Sequence, residues 1–122
     1  MTERWEDIVR GRRILIVEDE FLIAEELREA FEDLGAVVVG PVATVEAALA
    51  IIVSGHPLDG ATLDVTLGRE KTFPVAEALL ERDLPFVLVT GYGDVALPEG
   101  LRDLPRCEKP FDLRSILRNL FG

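Results

Sequence analysis

The sequence predicts a single α/β domain in which a parallel sheet is covered by helices on both faces. Three observations carry this. Short apolar runs alternate along the chain with segments of helical spacing. The first of those runs, Arg13 to Val17, is almost continuously apolar, as expected of a strand buried on both sides. The chain has 122 residues, of which 48% are hydrophobic, enough for one domain with a real core.

The elements follow in order. Residues 1–11 form an N-terminal extension to the main domain at 12–122. Two readings stand for that extension: a short helix with Trp5, Ile8 and Val9 on one face, or a tail. After the first strand, Glu20 to Leu34 places Ile23, Leu27, Ala30, Phe31 and Leu34 at helical spacing, and Gly35 stops the helix. Val37 to Val39 is a second strand, ended by Gly40-Pro41. Thr44 caps a helix running through Val45, Ala48, Leu49 and Ile52 to Gly55. Gly60 to Asp64 is the third strand. Thr72-Phe73-Pro74 opens a helix bearing Val75, Ala76, Leu79 and Leu80, proline being tolerated in a first turn. Pro85 to Val89 is the fourth strand, and Arg106 to Glu108 a short fifth. Between them, Gly91 to Pro105 holds three glycines and two prolines, so a helix there is short or irregular. Asp112 caps the last helix, with Leu113, Ile116, Leu117 and Leu120 on one face.

Composition excludes several functions. The net charge is −10, with 23 acidic against 13 basic residues and no basic stripe, which disfavours nucleic acid. No apolar run approaches the ~18 residues that span a bilayer, and the N-terminus lacks the apolar stretch of a secretory signal. Cys107 is the only cysteine, so there is no internal disulfide and no thiolate cluster, as suits a reducing cytoplasm. His56, the only histidine, sits in the loop Ser54-Gly55-His56-Pro57 and reads as an exposed turn residue.

The chemistry lies at strand ends. Glu18-Asp19 follow the first strand, Asp64 ends the third, Thr90 follows the fourth, and Lys109-Pro110 follow the fifth. In a parallel sheet these ends share one edge, where ligands bind. Singly, each residue has an ordinary reading: acidic residues at a helix N-terminus for Glu18-Asp19, turn chemistry for Asp64 and Thr90, a solvated surface for Lys109. Together, the carboxylates repel one another and require a counter-charge, which a hard ion such as Mg²⁺ supplies. The hydroxyl and the ammonium suit a phosphoryl group.

Val-Glu-Asp-Glu, Leu-Asp-Val-Thr-Leu-Gly, Val-Thr-Gly-Tyr-Gly and Glu-Lys-Pro-Phe, in this order at successive strand ends, resemble the receiver domain of two-component response regulators. The resemblance covers about residues 12–121. It implies a flavodoxin-like, doubly wound five-stranded parallel sheet in the order 2-1-3-4-5. It also implies that Asp64 is the phosphoacceptor. Asp19 and Asp64 become direct Mg²⁺ ligands, Glu18 acts mainly through water, and the backbone carbonyl of Thr66 is a further ligand. Thr90 becomes the switch hydroxyl and Lys109 the partner of the phosphoryl group. The implied partner is a histidine kinase or a phosphotransfer protein, and the implied state a cytoplasmic monomer or weak dimer that catalyses only its own phosphorylation and dephosphorylation. Pro85 to Asp94 is similar to the signature of the "FAT GUY" receivers of alphaproteobacteria, with Val89 in place of the usual alanine, which points to kinases of the HWE or a related type. Receivers mostly carry an aromatic switch residue three positions before the lysine. Here that position is Arg106, so either Tyr92 takes the role or the switch works without it.

Other readings are weaker. A phosphatase of the haloacid dehalogenase type wants a second aspartate two positions after the nucleophile, where this chain has Thr66. Gly91-Tyr92-Gly93-Asp94-Val95-Ala96 matches a dinucleotide fingerprint, but Pro98 and Gly100 oppose the helix it needs. A phosphorylation-independent interaction domain would have no use for the full set of groups.

Overall fold

A computed structural model describes residues 5–90, 105–108 and 112–122, with the backbone alone at Thr90 and Glu108. The elements are α1 (Trp5–Val9), β1 (Arg13–Val17), α2 (Phe21–Asp33), β2 (Val37–Val42), α3 (Val45–Val53), β3 (Gly60–Asp64), β4 (Thr66–Leu67), β5 (Glu70–Lys71), α4 (Phe73–Glu81), β6 (Phe86–Thr90), β7 (Arg106–Glu108) and α5 (Leu113–Phe121). Five strands form one sheet in the order β2-β1-β3-β6-β7, every pairing parallel. This is the expected doubly wound order. The expected short or irregular fourth helix falls within residues 91–104, outside the described residues.

Side chains alternate along each strand, and so divide the core into two layers. Leu15, Ala61, Leu63 and Leu88 face α3 and α4, packing on Ala48, Ile52, Val75, Ala76 and Leu79. Ile14, Ile16, Val87 and Cys107 face the other helices, packing on Val9, Leu27, Phe31, Ile116 and Leu117. Of the two readings of the N-terminus, the helix holds for Trp5–Val9. Val9 is fully buried, and Trp5 and Ile8 pack against the same layer. Cys107 lies buried beside α5, where the Asn119 side-chain amide donates to its Sγ at 3.4 Å. Burial pushes its thiol pKa up.

Two features depart from expectation. β2 does not stop at Gly40 but runs on to Val42 through a cis Gly40–Pro41 bond. Its pairing with β1 slips between Leu15 and Val17, and such an irregularity on an edge strand is where a sheet accepts proline. Directly after β3 the chain folds into a small antiparallel hairpin, β4–β5, pairing Thr66 with Lys71 and Leu67 with Glu70. Gly68 turns it at φ +58, a conformation glycine adopts without cost.

Candidate functional site

The sheet order reverses between β1 and β3, since the chain leaves β1 for β2 on one side and returns to β3 on the other. At such a switch point the loops after neighbouring strands diverge and open a crevice at the carboxyl ends. Glu18 and Asp19 leave the end of β1, and Asp64 ends the adjacent β3. The structure brings these three together: one carboxylate oxygen from each lies within 4.8 Å of the others. Glu18 and Asp64 are buried, and Asp19 is exposed.

At that separation each pair of unit charges repels by roughly 3 kcal/mol or more at an effective dielectric near 20. Such a cluster therefore favours a cation. The donors are all oxygen and the cluster opens to solvent at Asp19, which fits a hard divalent ion that keeps part of its hydration.

Backbone groups hold the carboxylates in place. The Glu20 N–H donates to Glu18 Oε1 at 3.1 Å, and the Glu18 N–H donates to the Val42 carbonyl at 3.0 Å. Asp19 Oδ2 accepts from the Gly68 N–H at 2.8 Å, so the turn of the hairpin rests on the loop after β1. Asp64 Oδ1 accepts from the Thr66 N–H at 3.2 Å, and the Lys71 ammonium donates to Thr66 Oγ1 at 2.9 Å. The Val65 N–H donates to the Val89 carbonyl at 3.1 Å, which ties the residue after Asp64 to β6.

Thr72 and Gly68 were not foreseen as parts of this site. Thr72 occupies the N-cap position of α4 and is fully buried, but its side chain makes no cap bond. Its hydroxyl turns back towards the Asp64 carbonyl at 2.6 Å. Gly68 carried a weak signal, a glycine within a short polar loop; Thr72 read only as a helix opener. Among the other expected residues, Thr90 ends β6 opposite Glu108 of β7. The Thr90 side chain, Tyr92 and Lys109 lie outside what the structure describes.

No model of a known family matches the chain, and no curated protein does. Solved structures do. The solution structure of SdrG from Sphingomonas melonis Fr1 is 46% identical, covering 92% of this chain and 98% of that one, with a TM-score of 0.78. The BeF3-activated conformation of SdrG from Pseudomonas melonis Fr1 is 48% identical, covering 88% and 92%, with a TM-score of 0.70. The signal receiver domain of a modulated diguanylate cyclase from Desulfovibrio desulfuricans G20 is 28% identical, covering 89% and 90%, with a TM-score of 0.74. The chain belongs to the receiver domains of response regulators.

Proposed function

We propose that this receiver accepts a phosphoryl group on Asp64 from the phosphohistidine of a histidine kinase, of the HWE or a related type, or of a phosphotransfer protein. The observation that carries the reading is the convergence of Glu18, Asp19 and Asp64 on the crevice between β1 and β3. An ionised Asp64 oxygen attacks phosphorus. A P–O bond forms, the P–N bond to the donor imidazole breaks, and the leaving nitrogen keeps the electron pair and takes up a proton. Little covalent work falls to the protein, and catalysis is mainly positioning and electrostatics. The Thr66 N–H fixes the rotation of the Asp64 carboxylate by holding Oδ1. Glu18, Asp19, Asp64 and the Thr66 carbonyl would hold Mg²⁺, which when bound neutralises charge on the phosphoryl oxygens.

Thr90 and Lys109 are assigned to the phosphoryl group as hydroxyl and ammonium partners. Supporting this, β6 and β7 end side by side with Thr90 opposite Glu108, and Lys109 is next in sequence. Tyr92 is the candidate aromatic switch residue. The output is contact with other proteins, from a cytoplasmic monomer or weak dimer. The protein turns over only its own acyl phosphate.

Acetyl phosphate with Mg²⁺, followed by intact mass, tests the reading. One phosphoryl group adds to the wild type, none adds to Asp64→Asn, and chelation of the metal abolishes the adduct. An equal adduct on Asp64→Asn rejects Asp64 as acceptor.

A further inference from the structure

We infer that Thr72 is a positioning residue for Asp64, acting through the two peptides that follow it, Asp64–Val65 and Val65–Thr66; the inference rests on the reading of Asp64 as phosphoacceptor. A threonine at an N-cap ordinarily accepts a hydrogen bond from the first turn of its own helix. Thr44 does this for α3, accepting from the Ala47 N–H at 3.1 Å. Thr72 stands at the same position of α4 and forgoes the bond. Its hydroxyl instead lies 2.6 Å from the Asp64 carbonyl and 3.1 Å from the Val65 carbonyl. Its N–H donates to the Val65 carbonyl at 3.0 Å.

The consequence follows from the shape of a peptide. The Val65 carbonyl and the Thr66 N–H are the two ends of one rigid plane and point in opposite directions. Holding the carbonyl end against Thr72 aims the other end away from it. That other end is the N–H that meets Asp64 Oδ1 at 3.2 Å. The hydroxyl has one proton, and its shorter contact is the Asp64 carbonyl, with the Val65 carbonyl in reach for a shared bond, so residue 72 holds the peptide after Asp64 through its side chain and the next one chiefly through its own N–H. Thr72 is fully buried, so water does not compete for these bonds. The hairpin between Thr66 and Lys71 is thereby closed at its base.

The test compares Thr72→Val, which keeps the shape and loses the hydroxyl, with Thr72→Ser, which keeps the hydroxyl. Two readouts are taken: the rate of Asp64 phosphorylation at saturating acetyl phosphate and Mg²⁺, and the hydrogen-exchange protection of the Thr66 amide by NMR. Thr72→Val is expected to slow phosphorylation about tenfold, in line with the cost of small misplacements in pre-organised sites, and to weaken protection at Thr66, the backbone bond from residue 72 to the Val65 carbonyl being kept. Thr72→Ser is expected to restore both to within about twofold, which a packing role for the methyl group would not do. Wild-type phosphorylation rate and protection in a folded Thr72→Val overturn the proposal. Should the valine variant not fold, Thr72→Cys replaces it, being close to serine in size but a weak donor. If the wild type itself takes no phosphate on Asp64, the acceptor reading fails, and the Thr66 amide still decides whether Thr72 sets that N–H.

Discussion

Asp19 is in contact with two opposing influences. It adds charge to a crowded trio, and it receives the Gly68 N–H that anchors the hairpin. Asp19→Asn keeps an oxygen for that N–H but removes one of three mutually repelling charges. Without metal, the variant is expected to be more stable than the wild type by roughly 1 kcal/mol, a fraction of the pair repulsion because Asp19 is exposed. With Mg²⁺ the order reverses, since a ligand bound only by the folded state stabilises it in proportion to affinity. Urea unfolding with and without Mg²⁺ reads both effects. A wild-type Mg²⁺ increment in Asp19→Asn would remove Asp19 from the metal site. Glu18, Asp19 and Asp64 were legible in sequence because a carboxylate after an apolar run is a local pattern. Thr72 was not. Whether its hydroxyl caps its own helix or reaches back eight residues depends on where the hairpin returns, and no pattern at Thr72 records that.

Elements differ in how far the sequence specifies them. The strands β1, β2, β3 and β6 and the helices α2 to α5 follow from their apolar runs or stripes, and caps mark several of the boundaries, whereas β7, Arg106-Cys107-Glu108, has no such run. Thr44 and Asp112 both cap as their positions imply, Asp112 accepting from the Arg114 N–H at 3.1 Å. Thr44→Ala is therefore expected to cost about 1 kcal/mol, read as a lower urea midpoint with an unchanged slope. An unchanged midpoint would show that α3 is held by packing alone. The hairpin β4–β5 escaped the reading because its strands have two residues each, too few for any periodicity. β2 escaped at its far end because Gly40-Pro41 is a stop signal in most contexts, and only its place at the edge of the sheet lets it continue.

Seen whole, the described sheet runs from the edge strand β2 to the edge strand β7, with the crevice between β1 and β3. Cys107 lies in the edge strand β7, shielded by α5, and burial raises its thiol pKa. It is also the chain's sole thiol. Alkylation needs an exposed thiolate, so at pH 8 the folded protein is expected to react more than about tenfold slower than the urea-unfolded chain. Equal rates, followed by mass, would show that β7 does not shelter the sulfur. The chain thus carries its own chemical clock. While reclosing outpaces alkylation, the time course reports how much of the time β7 stands open at the margin of the sheet, without any foreign label.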